Sequence, residues 1–314
     1  MKKVSVIIPF FNEAENIKGL VNQMSDFFSK RNEFQGEVIF VDDGSTDGSL
    51  DLLRKLRHSH YEVRVVKFSR NFGSHAALRA GILNSTGDFV CFIYADLQDP
   101  LELIYDLYRK CEEGYDIVWA TRRKAKVFAL GKIFSKLYAL MMRKFVVPGF
   151  PENGFDIVMF TNKVRREVND NIEANSSLFL QILFLGFNQT WIVYDKVQRR
   201  VGKSKWTVAK KLKLFIDSFV AFTYAPIRFV TVVGITLFVS GFFWAIYILG
   251  RVMILSDLNQ GWPALICVLV TGFGVTNISL GIIAEYLWRT LDAARKRKVF
   301  VIDEVIQLSS TDGN

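Results

Sequence analysis

The sequence predicts an α/β protein: a domain built on a mostly parallel sheet, with interfacial amphipathic helices and a two-helix transmembrane hairpin. Three observations point there. Over the first two thirds, short runs rich in Val, Ile and Phe alternate with helix-length amphipathic stretches. Two long runs without a charged residue come after them. The mean hydropathy of +0.20 lies between that of a soluble enzyme and that of a multi-span transporter, as a soluble domain joined to a small membrane part requires.

Val4–Ile8, Val38–Val41, Val63–Phe68, Phe89–Tyr94 and Ile117–Ala120 read as strands, and the stretches near 13–30, 47–58, 74–85 and 99–113 read as helices. Such alternation builds a parallel sheet covered on both faces. Ligands of these sheets sit at the carboxyl ends of the strands, so the residues just beyond each strand carry the chemistry. Pro9-Phe10-Phe11-Asn12-Glu13 ends the first and Asp42-Asp43-Gly44-Ser45-Thr46-Asp47 the second. Ser69-Arg70-Asn71-Phe72-Gly73 ends the third and Ala95-Asp96-Leu97-Gln98-Asp99-Pro100 the fourth. Carboxylates, amides and an arginine thus reach one edge. No GxGxxG or GxxxxGKS pattern occurs, which disfavours a dinucleotide cleft or a P-loop. Asp96 and Gln98 offer hard oxygen donors two residues apart, suited to Mg²⁺ or Mn²⁺ shared with a diphosphate. Structural roles compete at single positions. The Asp42–Ser45 segment also fits a turn with a helix cap. Asp99-Pro100 reads as an N-cap with Pro at the first helical position, and His75 as a helix-start residue.

The charge-free runs, Phe229–Gly250 and Trp262–Ala284, are each long enough to cross a hydrocarbon core of about 30 Å. They are read as spans at about 228–251 and 262–288 within a hairpin over 227–290. Basic residues crowd before the first span (Arg199, Arg200, Lys203, Lys205, Lys210, Lys211, Lys213, Arg228) and after the second (Arg289, Arg295, Lys296, Arg297, Lys298). The positive-inside bias therefore puts both termini, including a tail over 291–314, on the cytoplasmic side of the inner (plasma) membrane. Residues 128–146 and 207–226 mix apolar and basic residues, as helices in the interface plane do; packing on the sheet is the alternative. The net charge of +9 is read as attraction to an anionic lipid bilayer rather than to nucleic acid, for which no motif occurs. The start, Met-Lys-Lys, runs into a strand and is read as lacking a signal peptide. Cys91, Cys111 and Cys267 form no CxxC pair and no even framework, and are read as thiols kept reduced on the cytosolic side.

Taken together, Asn12-Glu13, Val41-Asp42-Asp43-Gly44-Ser45, Arg70-Asn71-Phe72-Gly73 and Ala95–Pro100 resemble the family 2 glycosyltransferases of GT-A fold. The likeness extends through Arg199-Arg200-Val201-Gly202-Lys203-Ser204-Lys205-Trp206 and Glu285-Tyr286-Leu287-Trp288-Arg289. The subgroup is that of polyprenyl-phosphate glycosyltransferases, such as bactoprenol glucosyltransferase and dolichol-phosphate mannose synthase. The resemblance implies a catalytic domain over 1–206, with Asp43 and Asp42 on the uridine of a UDP-sugar. It puts Pro9, Asn12, Glu13, Arg70 and Asn71 in the same donor site. Asp96 and Gln98 would bind the Mg²⁺ or Mn²⁺ that bridges the diphosphate. Arg122, with Lys132 and Ser135, would grip the acceptor phosphate. Arg200, Ser204 and Lys205 would belong to a loop closing over the pyrophosphate, and Asp156 would face the sugar. A homo-oligomer, a tetramer by resemblance, is expected. Three positions depart from the pattern. Tyr94 stands where many relatives carry Asp, Phe155-Asp156-Ile157-Val158 replaces Asp-Phe-Arg-Leu, and Trp288 replaces a glycine.

A lipid monophosphate, with a second pKa of about 6, is anionic at neutral pH and needs no strong base to attack an anomeric carbon. Direct displacement with inversion is then the expected course. Glucose is the expected sugar, with N-acetylhexosamine, galactose, mannose (from GDP) or an aminopentose as alternatives. A processive polysaccharide synthase would need a Gln-x-x-Arg-Trp signature and more spans, and a flippase more spans. An inactive membrane scaffold is the reading of another class, suggested by Tyr94 and opposed by Asp96, Gln98, Arg122 and Lys205.

Overall fold

The computed structural model describes residues 1–123, 140–144, 150, 155, 157–172, 177–195, 225–255, 262–295 and 297–308. The chain forms two compact units, Met1–Asp217 with Lys298–Asn314, and Ser218–Arg297.

The first unit is built on an eight-stranded sheet in the order β7-β5-β6-β4-β1-β2-β3-β8. Its strands are β1 (Lys2–Phe10), β2 (Phe34–Asp42), β3 (Glu62–Phe68), β4 (Phe89–Phe92), β5 (Ile117–Arg122), β6 (Ile157–Thr161), β7 (Gln189–Tyr194) and β8 (Ile302–Leu308). The helices are α1 (Ala14–Ser29), α2 (Ser49–Lys55), α3 (Ser74–Asn84), α4 (Glu102–Glu112), α5 (Asn162–Asp170) and α6 (Leu178–Phe184). β1 pairs in parallel with β2 and β4, β2 with β3, and β5 with β7. β1 is buried from Val4 to Phe10, which explains its unbroken apolar run: a central parallel strand is covered on both faces. α1 repeats apolar residues at helical spacing and buries Ile17, Leu20, Val21, Met24, Phe27 and Phe28 in the core. α3 lies so close to β1 that a Cβ on Gly81 would stand 2.2 Å from a methyl of Ile7.

Each strand and helix expected in the first 122 residues is present. The differences lie beyond local pattern. β6 runs antiparallel between β4 and β5, so β5 is not a direct neighbour of β4. The segment after the second long helix contains β8, antiparallel on β3. Asp99 does not occupy the cap position assigned to it. α4 starts at Glu102 with Leu101 at the cap, while Asp99 accepts a 2.8 Å hydrogen bond from the buried Tyr194 hydroxyl. Cys91 and Cys111 are buried free thiols.

The second unit holds α7 (Ala225–Leu255) and α8 (Trp262–Arg295), packed against each other. Among the described residues one helical stretch, Ile227–Trp244 in α7, meets the length and apolarity needed to cross a membrane. Large apolar side chains are exposed on both helices, among them Phe229, Phe243, Leu269 and Phe273. Most of 128–146 and 207–226 lies outside the described residues.

Candidate active site

The site is assembled from the carboxyl ends of β1 to β4. Register places Phe10 of β1 opposite Asp42 of β2, and the Asp43 amide donates to the Phe10 carbonyl at 2.9 Å. The loops beyond these strands are laced together. The Asn12 amide donates to Ser45 Oγ at 3.0 Å, and Asn12 Oδ1 accepts from the Thr46 amide at 2.8 Å. Glu13 donates its amide to Ser49 Oγ at 3.0 Å, while its carbonyl opens α1 by accepting from the amides of Asn16 and Ile17. Asp47 takes the Ala14 amide at 3.0 Å.

The two adjacent aspartates diverge. Asp42 is fully buried; its Oδ1 accepts from the Ser45 amide at 2.8 Å, a local turn bond, while its Oδ2 meets no hydrogen-bond donor among the described residues. Asp43, only 4% exposed, reaches across to the end of β3. Its carboxylate accepts from the amides of Phe72 at 2.7 Å and Gly73 at 3.0 Å. Burial pushes this carboxyl above its ordinary range, the two amides pull it back, and the neighbouring Asp42 adds to the upward push. The Arg70 guanidinium lies 4.2 Å from the Phe72 ring centroid, and Phe72 meets Phe68 edge-on at 5.6 Å.

Gly44 explains why this corner tolerates no side chain. Its φ is +75°, and a Cβ there would lie 2.6 Å from the Arg70 carbonyl carbon and 2.8 Å from the Asn71 nitrogen. Gly44→Ala is expected to displace the 70–73 loop and to cost roughly 1–3 kcal/mol of stability, which thermal melting checks.

At the end of β4 the chain turns at Leu97, which holds φ +55°, an unfavourable conformation for a side chain of this size. It separates Asp96 from Gln98, both half-buried, and Asp96 Oδ1 faces the Gln98 amide at 3.4 Å. A carboxylate and an amide oxygen fit Mg²⁺ or Mn²⁺, which take few protein ligands and complete their shell with water and phosphate oxygens. Among the described residues no cluster of three or more acidic, His or Cys side chains forms.

Arg122 ends β5 opposite Tyr194, and Arg123 forms a 3.4 Å ion pair with Asp195. Lys132, Ser135, Asp156, Arg200, Ser204 and Lys205 lie outside the described residues. The structure therefore gathers Pro9, Asn12, Glu13, Asp42, Asp43, Arg70 and Asn71 at adjoining strand ends, with Asp96 and Gln98 at the next. The sequence offers a turn-and-cap role for Ser45, sets Thr46 and Asp47 only among the strand-end residues and gives Ser49 no role; in the structure all four lace the β1 and β2 loops. A run of short polar residues after the Asp pair is the signal that carried them.

His75 has a structural role. It sits in the first turn of α3 and accepts a 3.3 Å hydrogen bond at Nδ1 from the Leu178 amide, where α6 begins. Its ring meets Phe179 edge-on at 5.7 Å. Burial, and then Arg79 nearby, push its pKa down to about 4 from an ordinary 6.5. Between those values the unfolded chain binds the proton that the folded chain refuses, so stability falls as pH drops. Thermal melts from pH 7.5 to 4.5 should fall more steeply for the wild type than for His75→Asn.

The chain matches the family model described as glycosyl transferase family 2 over residues 5–190. It is 30% identical over 305 residues to YkcC of Bacillus subtilis (strain 168), described as an uncharacterized glycosyltransferase, covering 96% of this chain and 93% of that one. It is 30% identical over 321 residues to the undecaprenyl-phosphate 4-deoxy-4-formamido-L-arabinose transferase of Proteus mirabilis (strain HI4320), covering 100% and 97%. It is 28% identical over 308 residues to the prophage bactoprenol glucosyl transferase homolog of Escherichia coli (strain K12), covering 96% and 99%. With its sheet unit matched by that model and its relatives alike along nearly the whole chain, the protein is a glycosyltransferase and belongs to glycosyl transferase family 2.

Proposed function

We propose that this glycosyltransferase transfers a hexose, glucose in our reading, from a UDP-sugar to undecaprenyl (polyprenyl) phosphate at the cytoplasmic face of the membrane, with inversion and with Mg²⁺ or Mn²⁺. The observation that carries the reading is the strand-end edge: three strand termini laced through Asn12, Asp43 and the 70–73 loop, beside the oxygen donors of Asp96 and Gln98. The acceptor is inferred from the undecaprenyl-phosphate and bactoprenol relatives, which match along the hairpin as well as the sheet unit.

Two membrane crossings by α7 and α8 are part of the proposal. β7 precedes the helix pair in the chain and β8 comes after it, and both strands belong to one sheet. A pair that crosses twice returns the chain to the side it left, in keeping with basic residues at both outer ends. Exposed apolar side chains along both helices suit lipid contact. A homo-oligomer is supported by resemblance.

The acceptor phosphate is already an anion, so the protein's task is to position it and to stabilise the departing diphosphate. Asp43 keeps the 70–73 loop against the donor side, and Arg70 supplies a cation there. Asp96 and Gln98 would hold the divalent ion. When bound, the ion would neutralise charge on the leaving nucleotide. By resemblance, Arg122, Lys132 and Ser135 would orient the acceptor, Asp156 the sugar, and Arg200, Ser204 and Lys205 would exclude water over the pyrophosphate. The Proteus mirabilis relative favours an aminopentose as the second reading.

The test is purified protein in lipid nanodiscs with undecaprenyl phosphate, Mg²⁺ or Mn²⁺, and a panel of radiolabelled UDP- and GDP-sugars. Labelled lipid from UDP-glucose above all others is expected. Labelled lipid from another donor alone would replace the sugar assignment, and none from any donor would leave the scaffold reading.

A further inference from the structure

We propose that the segment leading into the C-terminal strand β8 is a positioning element of the donor site, with Phe300 as its key residue. The inference rests on the reading of the 70–73 loop as part of the nucleotide-sugar site. That loop is held on one side by Asp43. On its other side stands the segment that comes after α8. The Phe300 ring stacks on Phe68 with centroids 5.4 Å apart and planes 12° from parallel, and Phe68 meets Phe72 edge-on at 5.6 Å. Backbone bonding runs the same way: the Ser69 amide donates to the Val301 carbonyl at 3.2 Å, one residue before Arg70. The ladder between β3 and β8 shifts register at Lys67/Phe68. Lys67 pairs with Asp303 and Arg54 with Glu304, each at 2.6 Å; such exposed pairs fix register more than they stabilise.

Phe68 is buried at 1% exposure, so a change in the ring stacked on it is relayed to Phe72 rather than absorbed by solvent. The amide of Phe72 is one of the two that Asp43 binds. Phe300 therefore touches no substrate and acts through the loop. Residues 296–301 join β8 to α8, which makes the donor loop's partner strand and the second long helix near neighbours along the chain.

The experiment compares full-length wild type, Phe300→Ala, Phe300→Tyr and Leu308→Ala in nanodiscs. Leu308 lies at the far end of β8, opposite Val63, and serves as the control for a merely loosened strand. Calorimetry with UDP and Mg²⁺, donor and acceptor KM, kcat, melting temperature and amide exchange across residues 69–74 are read. Phe300→Ala should weaken UDP binding and raise donor KM roughly three- to tenfold, the scale of one aromatic contact, with acceptor KM and kcat little changed. Exchange at Phe72 and Gly73 should quicken, and Phe300→Tyr should restore both readouts. Leu308→Ala should lower the melting temperature and leave donor KM as it is. Equal donor KM in wild type and Phe300→Ala, or equal rises in Phe300→Ala and Leu308→Ala, would overturn the proposal. Wild type that binds no nucleotide would overturn the donor-site reading itself. Amide exchange would still report, in that case, whether Phe300 holds the loop.

Discussion

Asp96→Asn should slow sugar transfer by at least about 100-fold, the scale of losing one preorganised electrostatic stabiliser. The substitution keeps the side chain's size and one oxygen, so the turn at Leu97 and the contact between Asp96 Oδ1 and the Gln98 amide have little reason to change. What disappears is a negative charge at a half-buried position, where a hard divalent ion would be held by few protein ligands. The melting temperature should therefore stay near the wild-type value while the concentration of Mg²⁺ or Mn²⁺ needed for half-maximal rate rises. Wild-type turnover by this variant, with metal still required, would contradict the assignment of Asp96.

Asp43→Ala should be the most destabilising single change at the site. The wild-type carboxylate is 4% exposed and satisfies the Phe72 and Gly73 amides. Hydrogen bonds to a charged group are each worth about 1.5–3 kcal/mol, and a donor left buried without an acceptor adds its own penalty. A loss of roughly 3 kcal/mol in stability and a UDP affinity too weak to measure by calorimetry are expected. Asp43→Asn separates the two roles. Its remaining oxygen can still accept from both amides, since Oδ1 alone already faces Phe72 at 2.7 Å and Gly73 at 3.2 Å. It should recover most of the melting temperature and keep a weakened UDP affinity. Melting of Asp43→Ala at the wild-type temperature would refute the loop-holding role.

The strand-end edge is readable because its residues come after strands that declare themselves locally. The runs ending at Phe10, Asp42, Phe68 and Phe92 are apolar enough to be recognised alone, and parallel order then brings their ends to one side. Three strands escaped for a different reason. Ile157–Thr161 carries a strand-like composition, but its antiparallel insertion between β4 and β5 is a tertiary fact with no local sign. Gln189–Tyr194 is an edge strand whose partner, β5, lies far earlier in the chain. Ile302–Leu308 mixes Ile302, Val305, Ile306 and Leu308 with Asp303, Glu304 and Gln307 without strict alternation, and its partner β3 lies on the far side of the helix pair in sequence, so the sequence reads it as a tail.

Asp99 shows the same competition at one residue. Asp-Pro is a strong local cap signal, and the buried hydroxyl of Tyr194, 95 residues away, takes the carboxylate instead. Asp42 and Asp43 look equivalent in the sequence and differ in the fold, where Asp42 closes β2 and Asp43 lies just beyond it. One makes a local turn bond, and the other reaches the next strand's loop. His75, by contrast, is a helix-start residue in sequence and structure alike.

The most direct measurement is the product itself. Purified full-length protein in nanodiscs, given undecaprenyl phosphate, UDP-[¹⁴C]glucose and Mg²⁺, should release one UDP for each labelled lipid formed, and mass spectrometry should show that lipid as a single hexosyl phosphodiester. UDP released with free glucose, or a lipid carrying a diphosphate-linked sugar, would contradict transfer to the lipid monophosphate.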